Sequence, residues 1–333
     1  MGRDFPQSEE PPLLPDKWLY TNPMSKHVIA YPPVETGNVP NPDVADLTIS
    51  QSIAVGDKLG PQIVICDIKF PDKRPPVRKV AKIFDALYWN PLAPLTGEPS
   101  HVTHWADVTY SLEAAAHEII RERGLEGLTP EYSGSWTFNQ KITVDGEEHL
   151  RGVRLILMEY FEGKMMEDLM KAQVQSPYDE KTRLKVLATA LDYNSRLQHS
   201  GLYLPDFKPD NILLVSNPGE RVPRVVIINF CTSVRLDKVM CTQEPPWERQ
   251  TLPFNPIFLF WDMTILSNFK DWAPGALYKE WLVSEFGSTE KRKGYSALSK
   301  EWLEEEFRSE EKRKGYESWL KEVKDEIQEL KAH

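Results

Sequence analysis

The segment Leu204-Pro205-Asp206-Phe207-Lys208-Pro209-Asp210-Asn211, running directly into the apolar Ile212-Leu213-Leu214, decides how the rest of the chain is read. Its Asp, Lys and Asn stand close together on a loop that proline interrupts twice. An aspartate at position 206 can accept the proton of an attacking hydroxyl, and Lys208 can neutralise a transferred phosphate. The amide oxygen of Asn211 can ligate a metal. Phosphoryl transfer asks a protein for little beyond this positioning and charge. The apolar run that follows predicts a short strand, which would hold Asn211 in place.

Outward from this loop, the pattern divides the chain into a strand-rich and a helix-rich half. Residues 47–55 and 62–70 are rich in β-branched side chains, and Gly56 to Gly60 between them reads as a turn. Residues 77–84 give a third strand. Residues 85–108, with Pro91, Pro94 and Pro99, read as an insertion, and residues 109–123 as a helix closed by Gly124. Two more strands are expected near 132–138 and 152–160, flanking a turn at Asp145-Gly146. After them, Leu184, Leu187, Leu191 and Leu197 recur at helical spacing over residues 179–199. Short apolar strands are expected at 212–215 and 224–230, with more helix beyond.

The loop and its setting resemble the protein-kinase superfamily, whose catalytic loop reads His-Arg-Asp-x-Lys-x-x-Asn. The finer details look most like the divergent kinase-like proteins of filamentous fungi. The resemblance covers about residues 45–270. It implies an α+β, two-lobed protein-kinase-like fold, with a small β-rich N-lobe carrying one helix and a larger, mainly helical C-lobe. It implies ATP and Mg2+ as cofactors and a protein hydroxyl as phosphate acceptor. Asp206 and Lys208 would then be the catalytic pair, and Asn211 a metal ligand. In the family a third-strand lysine holds the nucleotide phosphates, and Lys82 in Val80-Ala81-Lys82-Ile83 matches it. Lys79 is an alternative but points to the opposite face. Val80, on the same face as Lys82, would meet the adenine. The glutamate that pairs with the lysine is either Glu113, which precedes three alanines, or Glu118. Met158-Glu159-Tyr160 resembles the hinge, with Met158 as gatekeeper. The small-molecule kinases of the aminoglycoside or choline type share the Asp and Asn but generally lack a lysine two residues after the Asp, so Lys208 favours the protein-kinase side.

Three departures bear on activity. The family's metal-binding Asp-Phe-Gly appears as Asn229-Phe230-Cys231. An asparagine offers a carbonyl oxygen without charge, and magnesium favours anionic oxygens, so a metal site on Asn211 and Asn229 is expected to be weakened. The glycine-rich loop is reduced to Gly56 and Gly60, which reads equally as a phosphate loop or a plain hairpin turn. Leu204 and Pro205 replace the His and Arg of the catalytic loop. That Arg ordinarily meets a phosphorylated activation loop, so phosphorylation there is not expected to switch this chain. Pro245-Pro246-Trp247-Glu248 and Asp262 are weak counterparts of the family's Ala-Pro-Glu and of a structural aspartate in the following helix. Two functions follow with nearly equal weight: a divergent phosphotransferase, or a pseudokinase that acts as a nucleotide-binding or protein-interaction scaffold.

Bulk properties narrow the partners. A chain of 333 residues with 41% hydrophobic and 11% aromatic content can form one large two-lobed domain or two ordinary ones. Fifty acidic against 40 basic residues give a net charge of -10, which argues against nucleic-acid and anionic-membrane partners. Cys66, Cys231 and Cys241 form no disulfide framework. No signal peptide, myristoylation site or membrane-spanning run is read, since Pro6 stands where a myristoylation site wants Ser or Thr. The expectation is an intracellular, cytoplasmic protein whose partners are ATP and a protein substrate or partner. His101 and His104 have a conceivable metal spacing but no companion ligands, and His117 and His199 read as helix-surface or core residues. Residues 1–44 are expected to be a proline-rich arm, 45–160 the N-lobe, 161–275 the C-lobe and 276–333 a charged helical extension. In that extension Lys279-Glu280-Trp281-Leu282 recurs as Lys300-Glu301-Trp302-Leu303, and Lys291-Arg292-Lys293-Gly294-Tyr295 as Lys312-Arg313-Lys314-Gly315-Tyr316. This predicts a duplicated unit packing Trp281, Phe286, Trp302 and Phe307 on the main domain.

Overall fold

Alternating hydrophobic runs in the first half of the chain pair into six antiparallel strands in a computed structural model. The structure describes residues 24–30, 44–71, 75–92, 97, 99–144, 146–171, 177–216, 218–236, 251–261, 264–277 and 279–296. Two compact units are formed: residues 1–161 with 230–232, and residues 162–229 with 233–333.

The first unit is a closed barrel. Its strands are β1 (Met24–Ala30), β2 (Val44–Ala54), β3 (Gln62–Lys69), β4 (Val77–Phe84), β5 (Tyr132–Val144) and β6 (Glu147–Glu159), in the order β1-β2-β3-β4-β6-β5. Strand β1 closes it, pairing with β2 along Met24 to Ile29 and with β5 at Ile29 and Ala30. This strand falls in the stretch expected to be a proline-rich arm, where proline suits neither helix nor inner strand. The prolines bracket the strand instead of interrupting it: Pro23 precedes it, Pro32 and Pro33 follow it, and residues 24–31 contain none. The β5–β6 hairpin turns at Gly146, whose φ of +83° suits glycine.

Strand alternation sorts side chains into two cores. Ala81 and Ile83 of β4 face the barrel interior with Leu47, Ile49, Val64, Ile68, Trp136, Phe138, Val153 and Leu155. Val80 and Phe84 face the other way, into a second cluster with Tyr110, Ala114, Tyr132, Ile156 and Met158. That cluster is covered by helix α1 (Val102–Glu122), which begins seven residues before the predicted helix and takes in part of the expected insertion. Its buried stripe, Ala106, Tyr110, Glu113, Ala114, Ala116, His117 and Ile120, repeats every three to four residues. The helix ends where predicted, with Gly124 at φ +66°.

In the second unit, β7 (Lys164–Met165) leads into α2 (Met166–Lys171). Asp179 then caps α3 (Glu180–His199) by accepting from the Thr182 amide at 2.7 Å. Strands β8 (Leu202–Tyr203), β9 (Ile212–Val215), β10 (Arg224–Ile227) and β11 (Val234–Arg235) form two small sheets, β10-β9-β7 and β11-β8. Helices α4 (Pro256–Phe260), α5 (Lys279–Phe286) and α6 (Thr289–Arg292) follow. The first copy of the repeat is thus helical, with Leu282 and Phe286 buried and Trp281 half-buried. The second copy, Pro245 to Glu248, Cys241 and Asp262 lie outside the described residues. Among the described residues no helix is long and apolar enough to cross a membrane.

Candidate functional site

In the first unit, β4 presents Lys82 toward α1, where it is 5% exposed. Its ammonium donates to Oε2 of Glu113, itself 1% exposed. The same carboxylate oxygen accepts from the Cys231 thiol at 2.7 Å. One turn along α1, the His117 ring lies 4.0 Å from Glu113 Oε1. It stacks on Tyr132 at 5.1 Å and meets Phe230 edge-on at 5.2 Å. Glu118 instead pairs with Arg121 toward the surface, so Glu113 is the acid brought to Lys82. Lys79 lies on the other face of β4, its carbonyl accepting from the Cys66 thiol at 3.6 Å.

The charges in this network are set by burial and by one another. Burial alone would depress Lys82, but the Glu113 carboxylate it pairs with, beside the Cys231 sulfur, outweighs this and holds the lysine above its ordinary range. Burial and Glu113 push the Cys231 thiol up, which keeps it protonated and leaves Glu113 as the charged partner of Lys82. Glu113 feels the opposite balance: burial raises it, and Lys82, His117 and Cys231 together bring it below the usual range. His117 is driven down to about 4 by burial, with Lys82 adding to the effect and Glu113 opposing it. It is therefore a neutral, buried ring without a hydrogen-bond partner.

The remaining first-unit residues singled out by sequence are placed as follows. Val80 pairs with Met158 across β4 and β6, both in the cluster under α1. The amide of Glu159 donates to the Glu131 carbonyl at 2.9 Å, and Tyr160 follows at the strand end, half-buried. The Gly56–Gly60 turn is filled by the side chain of Gln62, which is wholly buried. Its Oε1 accepts from the Gly56 amide at 2.7 Å, and its Nε2 donates to the carbonyls of Gly56 and Gly60 at 3.0 and 2.8 Å. The Gly60 amide donates to the Tyr88 carbonyl at 2.8 Å. Both glycine amides that would cradle a phosphate thus already have protein acceptors, and the hairpin-turn reading fits. Gln62 carries no sequence signal, being a polar residue at the start of a strand.

In the second unit, the loop after β8 is anchored by Phe207, buried against Phe260 and Phe269. Lys208 reaches Asp206 Oδ1 and Asp210 Oδ2, both at 3.1 Å; sequence reading did not single out Asp210. Burial pulls the Lys208 pKa down, but the bonds to Asp210 and Asp206 prevail and raise it. A single 3-10 turn, Pro209–Asn211, brings Asn211 onto β9, 5% exposed. Its Nδ2 donates to the Asp206 carbonyl at 2.7 Å and lies 3.4 Å from Asp206 Oδ2. A backbone carbonyl only accepts, so this bond fixes the Asn211 amide with Oδ1 on its other side. Pairing of β9 with β10, and the Ile228 amide on the Asn211 carbonyl at 3.0 Å, bring Asn229 opposite. Asn229 adopts φ +66°, a region asparagine enters more readily than most residues, and its Nδ2 donates to Asn211 Oδ1 at 3.0 Å.

This donor set does not fit magnesium. The metal requires several oxygens in near-octahedral array and favours carboxylates. Asn211 Oδ1 already accepts a hydrogen bond, and Asp206 and Asp210 both salt-bridge Lys208. Among the described residues no group of three or more His, Cys, Asp or Glu gathers as a metal site. His101 and His104 lie exposed at the start of α1.

No protein-family model matches the chain, and no curated protein matches it. Among solved structures it is similar to the kinase domain of Mycobacterium tuberculosis PknI, at 14% identity and a TM-score of 0.31, covering 56% of this chain and 59% of that one. A double mutant of the same domain gives the same identity and TM-score with 58% of its length covered. The chain thus spans under two thirds of the kinase domain it matches, and a likeness this coarse assigns neither activity nor substrate.

Proposed function

We propose that this chain is a protein-kinase-like protein of the pseudokinase type, a protein-interaction scaffold in which the residues of a phosphoryl-transfer site serve as structure. One observation carries the reading: in the Asn229–Asn211–Asp206 hydrogen-bond chain, Asn211 Oδ1, an oxygen that would hold a metal, is instead taken by the amide of Asn229. Asn229 joins strand β10 to the loop as a neutral donor, in the place where an aspartate would need a cation to do so. The filled Gly56–Gly60 turn supports the same reading, since its amides are not offered to phosphates. The kinship with kinase-like proteins of filamentous fungi belongs to this proposal and rests on the sequence details alone.

The competing reading is ATP-dependent transfer to a protein hydroxyl. It is favoured by the Lys82–Glu113 pair and by the partly exposed carboxylate of Asp206. Thermal unfolding with ATP alone, ATP with magnesium and ATP with manganese separates the two, with Lys82→Ala as control. The scaffold reading expects no metal-dependent rise in the midpoint. A metal-dependent rise that disappears in Lys82→Ala, together with radiolabel transfer from ATP to a protein acceptor, would overturn it.

A further inference from the structure

We propose that the second unit carries a docking surface for the repeat motif, and that residues 300–316 of the same chain are its alternative occupant, exchanging with residues 279–295 by a register shift of 21 residues. The inference rests on how the first copy is held and on which of its residues recur.

The first copy docks through a small set of contacts. Leu282 and Phe286 of α5 are buried against the unit's core. The Asn255 side chain, whose Oδ1 caps α4, donates from Nδ2 to the Phe286 carbonyl at 3.2 Å. Lys279 sits over the Trp261 ring at 4.1 Å. Ser288 caps α6, Lys291 pairs with Glu285 at 2.6 Å, and buried Arg292 donates to the Gly287 carbonyl. Tyr295 packs edge-on against Phe286 and donates to Asp192 at 2.7 Å. The contacts that reach outside the repeat thus fall on α3, α4 and the segment before α4, through Asp192, Trp261 and Asn255, while the Ser288 cap and the Lys291–Glu285 and Arg292–Gly287 bonds hold the repeat's own shape.

Residues 300–316 reproduce every one of these ligands at the same spacing: Lys300, Leu303, Glu306, Phe307, Ser309, Lys312, Arg313 and Tyr316. The two copies differ at Val283/Glu304, Ser284/Glu305, Gly287/Arg308 and Thr289/Glu310. Ser284 and Thr289 are exposed and Val283 is half-buried, so only Gly287 is a buried position that changes. An arginine there makes the second copy the weaker occupant, which is why the first one is resident. Both copies are tethered to the same unit, so they compete at comparable effective concentration, whereas the same segment of another molecule would have to displace a resident held in cis. The exchange loops out the 21 residues of the first copy, a closure whose cost grows only logarithmically with length. The 37 residues beyond Ser296, which is itself held to Pro253 at 2.7 Å, are enough chain to supply the second copy.

The test is a thermal double-mutant cycle on the full chain with Phe286→Ala, Phe307→Ala and both. Phe307→Ala alone should leave the midpoint unchanged, because the first copy holds the surface. Phe286→Ala should lower it modestly, the second copy taking over. The double variant should fall by roughly 5 °C more than Phe286→Ala, since neither copy then offers an aromatic anchor. Midpoints independent of protein concentration place the exchange within one chain. If Phe307→Ala is silent in both backgrounds, or costs as much in the native chain as in Phe286→Ala, the exchange does not occur. A dependence on concentration would assign the second copy to another molecule and overturn the intrachain shift. The cycle does not involve the loop residues of the proposed pseudokinase, so the two proposals stand or fall separately.

Discussion

Replacing Asn229 by aspartate should make the stability of the protein depend on magnesium. The substitution keeps size and shape, and aspartate enters the left-handed region almost as readily as asparagine, so the backbone at φ +66° is not the source of any change. What changes is the contact with Asn211. An N–H facing a carbonyl oxygen at 3.0 Å becomes a carboxylate oxygen facing it. Asn211 cannot turn over to offer its Nδ2, because that group is held by the Asp206 carbonyl at 2.7 Å. One hydrogen bond is lost and the oxygen of a 5% exposed residue goes unpaired, which together cost about 1–2 kcal/mol given the exposure of Asn229 to water. The melting midpoint should fall by a few degrees in chelator. The introduced carboxylate would then stand beside Asn211 Oδ1, giving an oxygen pair suited to a hard cation. Magnesium at 10 mM against a dissociation constant of about 1 mM would return about 1.4 kcal/mol. Differential scanning fluorimetry with and without magnesium, at matched ionic strength, measures both steps. Asn229→Ala loses the same bond without gaining a carboxylate and should not be rescued. If magnesium stabilises the native protein as much as the aspartate variant, or neither, the assignment of Asn229 as a substitute for a metal is wrong.

Three further outcomes follow from the first unit. Gln62→Ala removes three hydrogen bonds from a wholly buried turn; it should cost about 3 kcal/mol in urea denaturation, and unchanged exchange protection at the Gly56 amide would contradict the role given to Gln62. Lys82→Met leaves Glu113 buried without its counter-charge and should cost about 3–5 kcal/mol, while Lys82→Met with Glu113→Leu should cost less than the single change; a double variant as unstable as the sum of the singles would show that the pair is not coupled. His117, with its folded pKa lowered from 6.5 to about 4, is protonated more readily in the unfolded chain. Stability from this group is therefore complete above pH 6.5 and declines as pH falls toward 4, by about 2–3 kcal/mol between pH 7 and pH 4.5. Glu113, also depressed, begins to lose its contribution only below its ordinary value of 4.5, so the upper part of the window reports His117. His117→Phe, which keeps a ring against Tyr132, should flatten the decline, and denaturation midpoints at pH 7 and pH 5 test it.

The strands and the long helix of the second unit are legible in the sequence because burial imposes a period. Residues 62–69 and 77–84 alternate or run apolar as their two-sided packing demands, and α3 follows its leucines with an aspartate cap. Strand β1 is hidden because composition averages over a window: nine prolines between residues 1 and 42 mask one proline-free segment. The start of α1 is hidden by Pro91, Pro94 and Pro99, which precede the helix without entering it. At the candidate site, sequence spacing brings Asp206, Lys208 and Asn211 to one loop. It also identifies the missing carboxylate at Asn229. It cannot show that this side chain spends its amide on Asn211, because that contact depends on the register of β9 against β10. Gln62 and Asp210 escape notice for a similar reason, their partners being fixed by turn geometry and not by residue type.

The closing strand of the barrel has a practical consequence for anyone preparing this protein. A shortened version beginning at residue 44, where the proline-rich stretch gives way to the first long hydrophobic run, would remove Met24–Ala30 and expose the pairing edges of both Val44–Ala54 and Tyr132–Val144. Unpaired edges recruit strands from neighbouring molecules, so such a truncation should oligomerise or precipitate, whereas one beginning just before Met24 keeps the ring intact and should stay dispersed.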